Sequence, residues 1–284
     1  MGLFYTYIFG REPGLLGFLD SKSHSDEYYK YRDKCENAFN EATKNVYTLT
    51  SPDNLRLKGF YCPASDTPSK KIAFIVHGYR SEHARTAGTF MDYYHSRGID
   101  IFTVDNPAAG QSEGELITFD YLESEMLLLW IEFILMTFGE DTEIILHGFS
   151  LGGGAVLKIS DRIPENVRFI IDDCGISGAP ELLKPKCGIL YPVINIINLL
   201  HHKLHFSLNM TDVRPNLRNA KCPILFVHGD ADPTVPFSTG KNLYRICPTY
   251  KESFFVKDTL HMECIYNDPE GYAEKIDKFI KFFC

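Results

Sequence analysis

The segment Gly148–Gly153 reads GFSLGG and contains the serine whose surroundings best suit covalent chemistry. It fits the pattern G-x-S-x-G, with Ser150 in the middle. An apolar stretch, EIIL, comes before it, and a run typical of a helix, LGGGAVLK, includes its last residues and continues beyond it. A sharp turn from strand to helix presents a side chain at its tip, and Gly148 and Gly152 leave the necessary space. The sequence therefore predicts that Ser150 is a nucleophile.

A serine hydroxyl is a weak nucleophile and needs a histidine, itself held by a carboxylate, to accept its proton. Where the serine lies on such a turn, the acid and then the histidine follow it along the chain. His261 lies after the last predicted strand and before the final helix, as this order requires. His77, His147 and His228 each precede a glycine at the end of a strand. We expect these three to shape turns and His261 to be the base.

Two aspartates follow the penultimate strand, in the segment PILFVHGDADPTVP, and either could hold the histidine. They are Asp230 and Asp232, and only one of them can face His261. Asp172 and Asp173, which follow an earlier strand, form a more distant rival pair. The residues by themselves leave the choice of acid open.

The oxyanion of a tetrahedral intermediate needs preorganised hydrogen-bond donors. The backbone N–H of Leu151, directly after the nucleophile, is the first expected donor, and the second comes from the loop after the third strand. This loop begins with HGYR. The predicted second donor is therefore the backbone N–H of Tyr79, with Arg80 as the alternative.

The elements that position these residues alternate between strand and helix. Val46–Thr50 and Leu55–Cys62 flank the turn sequence SPDN and are predicted to form a hairpin. Further strands are predicted at Ile72–Val76, Ile101–Val104, Glu143–Leu146, Arg168–Ile171, Ile224–Val227 and Ser253–Val256, and helices at Ala84–Ser96, Tyr121–Thr137, Leu151–Ile159, Ser238–Ile246 and Gly271–Phe283. This order predicts an α/β fold with a mostly parallel, twisted sheet, helices on both faces and an antiparallel edge.

The chain is predicted to contain one α/β domain, residues 44–284, after a helical lead, residues 1–43, whose helix is expected at Asp26–Asn40. Residues 175–215 interrupt the alternation of strands and helices and indicate a small helical cap. The apolar run VINIINLL in this cap is expected to pack against the core.

Three histidines follow that run, in the pattern H-H-x-x-H, and could share a helix face as metal ligands. They are His201, His202 and His205. No carboxylate lies at a matching spacing, so we expect a polar face of the cap and not a metal site.

Composition excludes several classes of protein. The net charge of −8 would repel a phosphate backbone, so nucleic acid is not an expected partner. No apolar run reaches the roughly 18 residues that span a bilayer. The eight cysteines are scattered without a CxxC pair, which predicts reduced thiols in a cytoplasmic protein.

Several segments together resemble the successive sheet-end motifs of the α/β-hydrolase superfamily. The resemblance extends from about Val46 to the C-terminus and is closest to the bacterial esterase and peptidase-like branch. The segments are FIVHGY (Phe74–Tyr79), VDNPAAGQSEG (Val104–Gly114), HGFSLGG (His147–Gly153), ILFVHGDADPTVP (Ile224–Pro236) and LHMECIYNDPEGYAEKIDKFI (Leu260–Ile280).

The resemblance implies a role for each site residue. The family pattern H-G-x-x-D-x-x-V-P falls on His228–Pro236, so it implies that Asp232 is the acid and that Asp230 occupies a spacer position. Ser150, Asp232 and His261 would then form a catalytic triad that requires no metal and no cofactor.

The activity implied by this resemblance is that of a carboxylesterase acting on small to medium acyl esters, with a small-molecule ester as the partner. A peptidase or amidase and an acyltransferase are alternatives on the same fold. A relative that binds a ligand or partner without catalysis is an alternative of another class, and it would be expected to lack a member of the triad.

Overall fold

The computed structural model describes residues 8–11, 24–200 and 206–284 of the 284-residue chain. These ranges contain one sheet of eight strands. Each predicted strand overlaps one of them, so the predicted strands are confirmed. They are β1 (Asn45–Thr50), β2 (Arg56–Cys62), β3 (Lys71–Val76), β4 (Asp100–Asp105), β5 (Glu143–Phe149), β6 (Val167–Asp173), β7 (Ile224–Gly229) and β8 (Lys251–Val256).

The strands are arranged in the order β1-β2-β4-β3-β5-β6-β7-β8. β2 pairs antiparallel with both β1 and β4, and the remaining neighbours are parallel. This confirms the mostly parallel sheet with an antiparallel edge. Because β3, β5, β6, β7 and β8 run in one direction, the loops that follow them meet at one edge of the sheet.

Helices cover both faces of the sheet. Alternate residues of β3 enter two separate cores, Phe74 with Trp130 on one face and Ile75 with Phe90 on the other. The helices are α1 (Asp26–Glu41), α2 (His83–His95), α3 (Glu123–Phe138), α4 (Leu151–Lys158), α5 (Ala179–Cys187), α6 (Tyr191–Leu200), α7 (Arg214–Leu217), α8 (Phe237–Ile246), α9 (Cys264–Asn267) and α10 (Pro269–Phe283), with short 3₁₀ turns at Gly188–Leu190 and Leu208–Thr211.

Helix α1, from the lead, packs across α2. The side chain of Ser25 caps α1 by accepting a hydrogen bond of 3.1 Å from the backbone N–H of Tyr28. At the crossing, a Cβ on Gly88 would lie 2.4 Å from the carbonyl oxygen of Cys35. Only glycine therefore allows the two helices to approach this closely.

The insertion between β6 and β7 is helical and contains α5, α6 and α7. The prediction that its apolar run packs against the core holds for one face of α6 only. That face buries Tyr191, Ile194 and Asn198, whereas Val193, Leu200 and several other apolar residues of the run are exposed. The three histidines of the H-H-x-x-H pattern lie outside the described residues.

Across the described ranges, no helix combines the length and apolar character needed to cross a membrane. All eight cysteines are free thiols, and six of them are buried.

Candidate active site

Ser150 lies at the junction of β5 and α4, at the edge where the parallel strands end. Its backbone has φ 52° and ψ −112°, a strained conformation for a residue with a side chain. A Cβ on Gly148 would lie 2.3 Å from the carbonyl oxygen of Gly152, and one on Gly152 would lie 2.4 Å from that of Val76. Both glycines are therefore required for the turn that presents the Ser150 hydroxyl.

His261 connects Ser150 to a carboxylate. Its Nε2 lies 2.9 Å from Ser150 Oγ, and its Nδ1 lies 2.6 Å from Asp232 Oδ2. His261 is in the loop after β8, and Asp232 is in the loop after β7. All three side chains are buried. With the proton on Nδ1, the imidazole donates to Asp232 and accepts from the serine hydroxyl.

The structure brings Asp232, and not Asp230, to His261. Burial disfavours the ionised form of Asp232, but hydrogen bonds from His228 and His261 outweigh burial and hold its pKa well below the usual range. The backbone N–H groups of Thr234 and Val235 donate to Oδ1 at 2.7 and 2.9 Å.

Asp230 is exposed at the surface of the same loop. Its carboxylate accepts a hydrogen bond of 2.6 Å from the backbone N–H of Asp258. It therefore braces the turn that follows β8.

The three histidines expected to shape turns are buried inside the molecule. His77 Nε2 accepts a hydrogen bond of 3.0 Å from the backbone N–H of Asn106, and His228 Nε2 donates to the Val235 carbonyl at 3.0 Å. Both ring nitrogens of His147 lie 3.0 Å from tyrosine hydroxyls. Their rings therefore link neighbouring elements.

The rival acids Asp172 and Asp173 end β6 and are fully buried. Burial raises the pKa of Asp172 to about 7, and His228 offsets this only in part. Burial likewise raises the pKa of Asp173 to about 6. The Tyr272 hydroxyl donates a hydrogen bond of 2.7 Å to this carboxylate, which lowers the pKa but only partly offsets burial. His261 pairs with Asp232 instead of either residue.

These raised pKa values predict how stability depends on pH. The pKa of Asp172 rises from 3.8 to about 7 on folding, so its contribution to stability is complete below about pH 4 and is lost as the pH rises through 7. Asn cannot ionise. We expect the free energy of unfolding of Asp172→Asn minus that of wild type to be about 2 to 3 kcal/mol larger at pH 8 than at pH 5, so that the variant gains stability relative to wild type as the pH rises.

Urea denaturation at the two pH values measures this difference. The control is Asp53→Asn in the exposed turn between β1 and β2, which is expected to leave the difference near zero. Equal pH dependence in wild type and Asp172→Asn would contradict the assignment of a buried, protonated carboxyl.

The two expected oxyanion donors border the same cavity as Ser150. Leu151 is the first residue of α4, so its N–H has no acceptor within that helix. The loop after β3 passes directly over the serine, because a Cβ on Gly78 would lie 3.2 Å from Ser150 Cβ. Tyr79 follows in that loop, and its hydroxyl donates to the Ile8 carbonyl at 2.7 Å. The alternative, Arg80, also lines the cavity.

The lead contributes to the site, which sequence reasoning missed. The Tyr28 hydroxyl donates a hydrogen bond of 3.1 Å to the carbonyl of Met262, the residue after His261. His24 Nδ1 lies 3.1 Å from Glu263 Oε1, and the His24 ring stacks 6.5 Å from that of His261. The lead therefore holds the loop that carries His261.

The charge state of His24 suits this position. Burial, followed by the nearby His261 and Arg32, lowers the pKa of His24 to about 4. Burial also raises the pKa of its partner Glu263. Because His24 is neutral near pH 7, it adds no positive charge beside His261.

A cavity of about 350 Å³ opens next to Ser150. Phe149, Phe119 and Leu182 supply part of its apolar wall, and helix α1 supplies another part through Tyr29. A space of this size can hold a small organic substrate.

One cluster combines residue types that could bind a metal. Ligand atoms of Cys174, Asp232 and His261 lie within 4.8 Å of one another. Burial raises the pKa of the Cys174 thiol well above its usual value, and a protonated thiol is a poor ligand. Since Asp232 and His261 also hydrogen-bond to each other, these residues fit proton transfer better than metal binding.

Comparisons with known proteins agree with this architecture. A family model described as serine aminopeptidase, S33, matches residues 67–180. The uncharacterized protein YqkD of Bacillus subtilis is 22% identical over 251 residues, which cover 86% of this chain and 81% of that protein. Alpha/beta hydrolase domain-containing protein 17C of Mus musculus is 23% identical over 248 residues, which cover 85% of this chain and 68% of that protein.

Among solved structures, the esterase Pf2001 of Pyrococcus furiosus superposes with a TM-score of 0.68 at 17% identity. The match covers 87% of this chain and 95% of that one. The strand order and this superposition show that the chain has the α/β-hydrolase fold.

Proposed function

We propose that this protein is a serine hydrolase that cleaves carboxylic esters through an acyl-enzyme. The observation that carries the proposal is the continuous hydrogen-bonded chain from Asp232 through His261 to Ser150 Oγ, which ends at a cavity. A weak nucleophile, a base and an acid that orients the base are thus within hydrogen-bonding distance of one another.

In the first step, His261 Nε2 accepts the serine proton as Ser150 Oγ attacks the acyl carbon. The negative oxygen of the tetrahedral intermediate is stabilised by the backbone N–H groups of Leu151 and Tyr79. Asp232 stabilises the imidazolium that forms. When the bond to the alcohol breaks, His261 gives its proton to the leaving oxygen, and the acyl group remains on Ser150.

In the second step, water replaces the alcohol. His261 accepts a proton from the water as its oxygen attacks the acyl carbon, and the second tetrahedral intermediate collapses. Ser150 Oγ takes the proton back from His261, and the carboxylic acid is released. No reaction partner other than water is consumed.

The charge of the cavity favours an ester over a peptide with a free amino terminus. Arg32, Arg80 and Arg85 line the cavity, and its described lining contains neither Asp nor Glu. A protonated amino group would be repelled here and would find no carboxylate to pair with. This argues against an aminopeptidase, although the matched family model carries that description.

Labelling by a fluorophosphonate probe tests the nucleophile directly. We expect wild type to be labelled at Ser150 and to turn over p-nitrophenyl acetate and butyrate, and we expect Ser150→Ala to do neither. Matched ester, anilide and thioester substrates then distinguish an esterase from an amidase or an acyltransferase.

A folded wild-type protein that takes no label would overturn the proposal and favour a binding protein without catalysis. Circular dichroism of both proteins serves as the control for folding.

A further inference from the structure

The cavity beside Ser150 has a charge opposite to that of the molecule. The chain has a net charge of −8, whereas the charged residues of the described cavity lining are three arginines. Field lines from these cations concentrate in a recess with apolar walls and raise the local concentration of anions.

Two of the three arginines are already engaged. Arg85 forms a salt bridge of 2.9 Å with Glu36, between α2 and α1. Arg80 donates to the Gly10 carbonyl at 3.2 Å. These contacts hold the lead against the loop after β3, so both side chains have a structural role.

Arg32 differs from the other two, because no described residue forms a salt bridge with it. Among the described residues its buried Nε also has no hydrogen-bond partner, and its guanidinium lies 5.0 Å from the centre of the Tyr29 ring. Burying an N–H donor of a cation costs free energy unless an acceptor forms a hydrogen bond with it. The guanidinium is also fixed by its stacking on Tyr29, so an arriving acceptor would find it preorganised.

A second polar group in the cavity lining also lacks a partner in the described part of the chain. Thr86 is 2% exposed, and no described residue forms a hydrogen bond with its Oγ1. Thr86 belongs to α2, which α1 crosses at Gly88, and both Arg32 and Thr86 line the cavity. Within the described ranges, a cationic N–H of α1 and a hydroxyl of α2 are therefore both unpaired in the lining of the cavity.

We propose that Arg32, assisted by Thr86, is the specificity determinant for substrates that carry a carboxylate in addition to the ester. The inference rests on the proposed hydrolase function, because it names the class of ester that this cavity takes. A carboxylate accepts strong, charge-assisted hydrogen bonds from a guanidinium. The substrate would enter with its carboxylate on Arg32 and its ester carbonyl at Ser150.

Two matched pairs of substrates test the proposal and locate the carboxylate. p-Nitrophenyl valerate and p-nitrophenyl hemiglutarate differ by a carboxylate on the acyl side. Phenyl acetate and 4-acetoxybenzoate differ by a carboxylate on the alcohol side. For each pair, the kcat/KM of the anionic ester is divided by that of the neutral ester, and this ratio is compared between wild type and each variant. Differences in intrinsic reactivity between the two esters then cancel.

In Arg32→Met we expect this ratio to fall about 10- to 100-fold for at least one pair, because a hydrogen bond to a charged group is lost. The neutral esters make no charge-assisted hydrogen bond to Arg32, so their kcat/KM is expected to fall by much less than that of the anionic esters. Arg32→Lys is expected to recover part of the preference. Lys30→Met removes the same charge from the exposed side of α1 and is expected to leave both ratios unchanged.

The proposal is overturned if wild type hydrolyses the neutral esters and Arg32→Met leaves both ratios within twofold. Binding of glutarate to Ser150→Ala, measured by calorimetry, separates this failure from failure of the hydrolase function. Glutarate binding that disappears in the double variant Ser150→Ala, Arg32→Met supports the anion site even if no ester is turned over. No binding of glutarate to Ser150→Ala contradicts the site.

Discussion

Replacing Asp232 by Asn is expected to lower kcat for p-nitrophenyl butyrate about 10⁴-fold. The amide oxygen would continue to accept from the N–H groups of Thr234 and Val235, which now donate to Oδ1 at 2.7 and 2.9 Å. The NH₂ group would then face His261 Nδ1. If Nδ1 accepts a hydrogen bond from this NH₂ group, the imidazole proton lies on Nε2. A protonated Nε2 cannot accept the proton of Ser150.

Asp230→Asn is the matched control, because Asp230 lies two residues away in the same loop but is exposed. Its amide oxygen can still accept from the Asp258 N–H, so turnover is expected to remain within threefold of wild type. Steady-state kinetics of both variants provide the measurement. A loss in Asp230→Asn as large as that in Asp232→Asn would contradict the assignment of the acid.

Substituting Gly152 by Ala is expected to reduce the free energy of unfolding by about 3 kcal/mol or more. The added Cβ would lie 2.4 Å from the Val76 carbonyl oxygen and 2.6 Å from that of His77. Both atoms belong to the backbone at the end of β3, so no side-chain rotation relieves the contact. Any shift of this segment also displaces Tyr79 relative to Ser150, and turnover is expected to fall with stability.

Gly98→Ala separates this steric effect from the general cost of replacing a glycine. Gly98 has φ 65°, but a Cβ there would have no heavy atom within 4 Å. We expect Gly98→Ala to reduce the free energy of unfolding by only about 1 kcal/mol. Urea denaturation of both variants is the measurement, and similar costs would show that the turn at Ser150 tolerates a side chain.

The sequence allowed the sheet and the position of Ser150 to be predicted because both depend on local patterns. Apolar runs of strand length identify the buried strands, and two glycines identify the turn. The choice between Asp230 and Asp232 required the family resemblance. It depends on which carboxylate turns inward after β7, and neighbouring residues give no sign of that.

The contribution of the lead could not be predicted, because it depends on contacts between residues far apart in the chain. His24 and Glu263 are 239 positions apart, and Tyr28 and Met262 are 234 apart. The tyrosines at the start of α1 were a signal, since clustered aromatic residues in a lead need a surface to cover. The exposed face of α6 could not be predicted either. An apolar run does not by itself tell which side of a helix packs against the core.

The contacts between α1 and the loop that carries His261 have a consequence for protein engineering. A fragment trimmed to the region of superfamily resemblance, from about Val46, retains every strand of the described sheet but removes Tyr28 and Arg32 from the cavity. Affinity tags and fusion partners are therefore best joined away from residues 24–41. Grafting a different helix onto this position would alter the substrate cavity and would also remove the Tyr28 contact to Met262, which helps to hold the loop that carries His261.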